Sequence, residues 1–335
     1  MGQGRFAEAT RVTCDASACG YDRAVTRHFL TGVELARDEL ERLLARALEL
    51  KRERVANEEG VGSRPLTGRS VALLFERPST RTRVSFEVGI AELGGTAVVL
   101  SGRDLQLARG ESLGDTAAVL SGYVHAIGAR TGRHAMLEEL AASARVPVVN
   151  MLTEEHHPCQ ALADMLTLSE RFGTLAGLKL AYLGDGNNVA SSLMLLGASL
   201  GVEVAVAGPA ELAPDGDVVR LAQGRTRADT PVSVLTDPEE AVRGAHALYT
   251  DVWVSMGDEA EAERRRELLT PYRLDDALLA HARQDAVALH CLPAHPGEEI
   301  SAEVLYGPRS AVWDQAENRL HAQKALLELL LAPPR

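Results

Sequence analysis

Cysteine is scarce in this chain: Cys14, Cys19, Cys159 and Cys291 are the only four in 335 residues, and no CxxC pair is present. So few and so scattered, they exclude a disulfide framework and point to a reducing cytoplasmic setting. Long apolar runs are missing too. Nothing approaches the roughly 18 consecutive apolar residues of a membrane span, and the first 26 residues hold no apolar run of signal-peptide length, so they read as a flexible extension. Met1-Gly2 is not followed by the Ser or Thr that a myristoylation signal places sixth, because Phe6 stands there. Positive charge is in deficit, with 35 Lys and Arg against 47 Asp and Glu for a net charge of −12. That balance argues against nucleic acid or anionic membrane as a partner, and any positive site for an anionic substrate must be local. Fixed-period repeats and low-complexity tracts are absent.

What is present is ample material for a core. Hydrophobic residues make up 46% and charged residues 24%, which at this length means two domains or one large one. Leu35, Leu40, Leu43, Leu44, Ala47 and Leu48 share one helical face. Short apolar runs then alternate with stretches of helix length: Val71–Phe75, Ala97–Leu100, Ala126–Ala129 and Val146–Asn150. The rhythm restarts after Phe172-Gly173 with Lys179–Leu183, Glu203–Ala207, Val232–Leu235, Ala247–Tyr249 and Ala286–His290. Continuous apolar strands between helices predict parallel sheets covered on both faces, so the expected fold is α/β, with two doubly wound parallel-sheet units. A helix over Gln160–Arg171 joins them, and a second over Gln315–Leu331 either caps the chain or returns to the first unit. The charged run Asp258–Glu267 reads as a solvated helix face or a mobile loop.

In such sheets ligands sit beyond the carboxyl ends of strands. Glu76-Arg77-Pro78-Ser79-Thr80-Arg81-Thr82-Arg83 follows the first strand and opens a helix, gathering hydroxyls, backbone N–H groups and guanidinium groups where a helix dipole favours an anion. The bland alternative is an N-cap with surface arginines. His156-His157-Pro158-Cys159-Gln160 opens the connecting helix. With no repeated CxxC or HxxxH frame a metal site is disfavoured, and a neutral His and a Gln suit donation to a carbonyl oxygen gaining charge. Gly184-Asp185-Gly186-Asn187-Asn188-Val189-Ala190 resembles a dinucleotide fingerprint but lacks its third glycine and the acidic residue after the next strand, which disfavours a nicotinamide cofactor. Asn187 and Asn188 instead offer amides to the zwitterionic end of an amino acid. Asp251 to Gly257, and His290-Cys291-Leu292-Pro293, also follow strands and point to the same edge, where a carboxylate can hold an ammonium group.

Taken together, these segments resemble the aspartate/ornithine carbamoyltransferase superfamily, most closely its ornithine branch, from about Arg27 to His321. Ser79-Thr80-Arg81-Thr82-Arg83 and His157-Pro158-Cys159-Gln160 carry the superfamily resemblance; Asp251 with Ser255-Met256-Gly257, and His290-Cys291-Leu292-Pro293, carry the ornithine resemblance. The resemblance implies attack of the δ-amine of L-ornithine on carbamoyl phosphate, giving citrulline and phosphate in arginine biosynthesis or catabolism, with no metal or organic cofactor. It implies that Ser79, Thr80, Arg81, Thr82 and Arg130 hold phosphate, and that His157, Gln160, Cys291, Leu292 and Arg319 meet the carbamoyl group. Asn188, Asp251, Ser255 and Met256 would bind ornithine; Arg81, His157, Asp251, Cys291 and Arg319 are the candidate catalytic residues. It implies a homotrimer, or a multiple of trimers, with Gln106 reaching the phosphate of a neighbouring subunit. The implied domains are a carbamoyl-phosphate domain over 27–158, an ornithine domain over 159–314, and a C-terminal helix over 315–335 that packs back on the first. Gly122 and Pro296 stand where the family more often carries larger or basic residues. Competing expectations are a sibling enzyme using putrescine or an N-acylated ornithine, a non-catalytic paralogue, and an NAD-dependent oxidoreductase.

Overall fold

The computed structural model describes residues 26–56, 64–104, 110–226, 230–254 and 261–332. Gln106, Ser255, Met256, Cys14 and Cys19 lie outside them. The first sheet comprises β1 (Ser70–Phe75), β2 (Thr96–Ser101), β3 (Ala126–Arg130) and β4 (Val148–Leu152), all parallel, in the order β2-β1-β3-β4. The second comprises β5 (Lys179–Leu183), β6 (Glu203–Ala207), β7 (Val232–Leu235), β8 (Ala247–Thr250) and β9 (Val287–His290), also parallel, in the order β7-β6-β5-β8-β9. Both are doubly wound α/β sheets. Strand order reverses between β1 and β3 in one and between β5 and β8 in the other, and a crevice opens at such switch points.

Every expected strand is present, and two differ in detail. β4 begins at Val148 rather than Val146, because Pro147 has no N–H to give the ladder; its carbonyl still accepts from Ile127. β2 is not buried on both faces. As an edge strand, it alternates exposed and half-buried positions.

The helices that matter for the site are α1 (Arg37–Ala56), α2 (Thr80–Glu92), α5 (Pro158–Phe172), α6 (Asn188–Leu200) and α12 (Val312–Leu331), numbered in chain order with α3 (Leu113–Leu120) and α4 (His134–Ser143) before α5, and α7 (Gly216–Gln223), α8 (Pro238–Val242), α9 (Ala262–Leu269), α10 (Asp276–Ala280) and α11 (Ala302–Tyr306) before α12. Alpha-helix α5 is buried on every side from Pro158 to Leu168, as expected for a helix enclosed within the molecule. It is stopped by Gly173, which takes the left-handed φ of 76° that a C-terminal cap favours. One continuous apolar core runs from Phe29, Phe86 and Val149 of the first unit through Leu162 and Leu166 to Leu193 and Tyr249 of the second. Helix α12 returns to the first unit. Its Leu320 and Lys324 lie over Gly89 of α2, where an added Cβ would come within 3.1 Å of the lysine stem, and Lys324 Nζ reaches Glu92 at 2.6 Å. Leu326 and Leu327 of α12 are buried, each contributing about 1.5–3 kcal/mol. No helix among the described residues is long and apolar enough to cross a membrane.

Candidate active site

The loop after β1 folds as a helix start because Pro78 precedes it and Ser79, in extended conformation, caps α2 by accepting from the Thr82 N–H at 3.4 Å. Thr80 and Arg81 are exposed, whereas Thr82 is buried. Arg130 ends β3 directly opposite Phe75, the last residue of β1, so it emerges beside the α2 loop. Burial, together with the positive charges of Arg319, Arg81 and Arg77, pulls the Arg130 guanidinium down to about 10. Its buried Nε has no hydrogen-bond partner among the described residues. A guanidinium lowered in this way by neighbouring positive charges marks a place that favours an anion. Arg77 is balanced by Glu154 at 2.8 Å.

At the start of α5, His157 is buried and its backbone N–H donates to Ser192 Oγ at 2.7 Å. Its imidazole is held far below 6.5 by burial and by Arg319, Arg130 and Arg81, so the ring is neutral at physiological pH. A neutral ring has one N–H to give, as donation to a carbonyl oxygen requires. His156, one residue earlier, is otherwise engaged: its N–H donates to Thr153 Oγ1 at 3.1 Å, and its ring meets the edge of His134.

Arg319 enters from α12. Its Nη1 donates to Gln160 Oε1 at 2.7 Å and its Nη2 to Thr82 Oγ1 at 3.1 Å, all three side chains being buried. Burial and the neighbouring Arg81 lower the pKa of this guanidinium.

On the second sheet, Leu183, Thr250 and His290 lie side by side at the ends of β5, β8 and β9, so the segments that follow emerge level with one another. Asn187 caps α6, its Oδ1 accepting from Val189 and Ala190, and its Nδ2 donates to Asp251 Oδ2 at 2.9 Å. The Cys291 thiol donates to Asp251 Oδ1 at 2.8 Å. Burial and the Asp251 carboxylate push that thiol far above its ordinary range, opposed by Arg81, so Cys291 is a protonated donor and not a proton acceptor. Asn188 donates to the Thr153 carbonyl at 2.7 Å. Leu292 adopts a left-handed φ of 61°, a conformation costing a non-glycine residue about 1–3 kcal/mol. Two bonds hold it there: its N–H donates to His290 Nδ1 at 2.8 Å and its carbonyl accepts from Arg81 Nη2 at 2.6 Å.

Residues from the carboxyl ends of two sheets therefore converge on one junction: an arginine-rich half with a neutral histidine, and a half presenting a carboxylate and a thiol. Two family models cover that arrangement almost end to end. The carbamoyl-phosphate-binding domain of aspartate/ornithine carbamoyltransferase matches residues 27–170, and its Asp/Orn-binding domain matches residues 176–330. The chain belongs to the aspartate/ornithine carbamoyltransferase family. It is 54% identical to an ornithine carbamoyltransferase of Methanoculleus marisnigri, over 91% of this chain and 97% of the relative. The structure superposes on that of the ornithine carbamoyltransferase from Pyrococcus furiosus with a TM-score of 0.87 at 48% identity, over 92% and 98% of the two chains. The Thermus thermophilus enzyme gives a TM-score of 0.81 at 44% identity, over 92% and 99%.

Several features of this carbamoyltransferase were not read from its sequence. The sequence pairs Asn187 with Asn188 as an amide for the substrate, but both ends of the Asn187 amide serve the helix cap and Asp251. Gly186 makes room for protein rather than for a pyrophosphate, since a Cβ there would stand 2.2 Å from Pro214 N, whereas Gly184 takes a φ of 126° and its carbonyl oxygen is approached so closely by Gly208 that a Cβ on Gly208 would stand 2.0 Å from it. The charged run after Asp258 is not merely solvated, because Arg265 of α9 (Ala262–Leu269) is buried, bonding Asp185 and donating to the Trp253 carbonyl at 2.8 Å. Asp164 and Gln315 also belong to the site's surroundings. Each sits four residues from a named site residue on the same helix, Gln160 and Arg319, and that one-turn spacing is the signal that was available.

Proposed function

We propose that this chain transfers the carbamoyl group of carbamoyl phosphate to the δ-amine of L-ornithine, releasing L-citrulline and phosphate. The observation that carries the reading is the meeting of Arg81, Arg130, Arg319 and neutral His157 with the Asp251–Cys291 pair at the junction of two switch points. Ser79, Thr80, Arg81, Thr82 and Arg130 hold the phosphate. His157, Gln160 and Arg319 surround the carbamoyl group, and Cys291 and Leu292 face the reacting nitrogen atoms. Asn188 and Asp251, with Ser255 and Met256, bind ornithine.

The side-chain amine of ornithine has an ordinary pKa near 10.4, so only a small fraction is neutral at pH 7. Its lone pair attacks the carbonyl carbon, charge builds on the carbonyl oxygen, and the bond from that carbon to the phosphate oxygen breaks. Arg81, His157 and Arg319 stabilise the oxygen as it charges. Asp251, with its Cys291 thiol as a donor, orients the amine, and the departing phosphate accepts the amine proton.

The chain works in arginine metabolism as a homotrimer, with Gln106 of one subunit at the phosphate of the next, and in a reducing cytoplasm, where the free thiols of Cys159 and Cys291 persist. The domains are the carbamoyl-phosphate unit over 27–158, the ornithine unit over 159–314 and the returning helix over 315–335.

The test is colorimetric detection of the ureido product from carbamoyl phosphate, with ornithine, putrescine, N-acetylornithine and aspartate offered in parallel. Strong preference for ornithine is the expected outcome. Preference for another amine overturns the acceptor assignment, and silence with all four overturns the activity.

A further inference from the structure

Asp164 is fully buried on α5, one turn after Gln160, and none of the roles above uses it. Its Oδ1 accepts from Gln160 Nε2 at 2.8 Å and from Gln315 Nε2 at 2.7 Å. Each of these amides turns its own oxygen elsewhere. Gln160 Oε1 takes the Arg319 guanidinium at 2.7 Å, and Gln315 Oε1 takes the backbone N–H of His290 at 2.9 Å. A carboxamide turned end over end would aim NH2 at a guanidinium or at a backbone N–H, and both contacts would be lost. An oxygen that only accepts, placed between the two amides, is what selects the orientation of both.

We propose that Asp164 is a positioning residue which, through Gln160 and Gln315, sets Arg319 and the His290–Leu292 segment in register for carbamoyl transfer. The inference rests on the carbamoyltransferase reading of the site. One carboxyl oxygen thereby ties the group that meets the carbamoyl oxygen, carried by α12, to the segment that meets the amine, carried by β9. The groups facing this carboxyl are Arg319 from α12, Tyr249 from β8 and Cys291 after β9. Burial outweighs its hydrogen bonds and Arg319, and pushes the carboxyl up to about 7. Neither Oδ2 nor the Tyr249 hydroxyl has an aligned hydrogen-bond partner among the described residues. A proton on Oδ2 leaves Oδ1 an acceptor, so the orienting role survives in either charge state, and an asparagine carbonyl serves as well.

The experiment compares citrulline formation by wild type, Asp164→Asn and Asp164→Ala, with calorimetric titration of inorganic phosphate into each. Asp164→Asn should stay within about 3-fold of wild type, while Asp164→Ala should lose about 100-fold in kcat, the scale of a misplacement near 1 Å. Phosphate affinity should fall far less than kcat in both, since Ser79, Thr80, Arg81 and Arg130 also set it and Thr82 is the one of this group that Arg319 bonds. A folded Asp164→Ala with wild-type kcat overturns the proposal, as does an Ala variant whose phosphate affinity falls as far as its kcat. If Asp164→Ala does not fold, Gln315→Leu decides, because it leaves the pairing of Asp164 with Gln160 in place. A loss of about 10-fold in kcat supports the proposal, and an unchanged kcat overturns it. A wild-type protein that makes no citrulline removes the functional reading itself, whereas an active wild type with an equally active Ala variant removes only the role of Asp164.

Discussion

Arg81, in the first turn of α2, and Leu292, just beyond β9, come from different units and meet at 2.6 Å, the guanidinium Nη2 donating to the leucine carbonyl. Arg81 is exposed, so the bond contributes little to stability, but it aims the guanidinium across the junction. Arg81→Ala should lower kcat about 10²–10³-fold, or about 2.7–4 kcal/mol of barrier, and weaken inhibition by phosphate. Steady-state citrulline assays with phosphate as competitor check both effects, and wild-type rates would remove Arg81 from the site.

The thiol of Cys291 should be slow to react. Because Asp251 and burial hold it protonated, alkylation by iodoacetamide should be far slower at pH 7–8 than for an ordinary cysteine, which titrates near 8.5. Rapid modification at pH 7 would contradict the geometry. Cys291→Ala removes a donor to Asp251 and should lower kcat about 10-fold or more, matching the about 1.5–3 kcal/mol that a hydrogen bond to a charged group contributes.

Gly186 has no space for a side chain beside Pro214. Gly186→Ala should therefore shift the turn that presents Asn187 to Asp251, raising KM for ornithine while leaving phosphate binding intact. Because the obstacle is backbone, the loss of stability should be about 1–3 kcal/mol, as for overpacking elsewhere, read from the midpoint of urea unfolding.

Stability should fall in acid. Burial pulls His156 down to about 4 and His157 well below 6.5. Burial and Lys324 also lower His321, against the opposing pull of Glu317. Below pH 6.5 the unfolded chain binds protons that these folded-state groups refuse, so stability present above pH 6.5 is lost as pH drops toward 4. Asp164 acts in the opposite sense. Its folded-state carboxyl, near 7 against 3.8 unfolded, keeps a proton that the unfolded chain has released, so its ionisation removes stability as pH rises from about 4 to 7. Burial also lowers His28 and His246, and these five histidines against one raised carboxyl leave the balance acid-labile, so Tm should drop between pH 7 and pH 4.5. Asp164→Asn removes the opposing ionisation and should steepen that drop; a Tm that rises in acid would refute the assignment.

The strands were legible because a parallel strand buried on both faces must be a continuous apolar run, and because Gly173 and Gly201 punctuate helix ends with a left-handed φ. Even the grouping of Asp251 with Cys291 could be anticipated, since parallel topology places the carboxyl ends of one sheet's strands on one edge; that Arg81 and His157, which follow strands of the other sheet, face them was decided by the packing of the two units. Local spacing could not reveal partners far apart in the chain. Arg319 finds Thr82 across 237 positions and Gln160 across 159, Asp164 gathers Gln315 across 151, and Cys291 reaches Asp251 across 40. Whether Cys291 accepts or donates a proton, and which way the amide of Gln160 faces, depends on burial and on the charge of neighbours. Those conditions exist only once helices α5 and α12 have closed against both sheets.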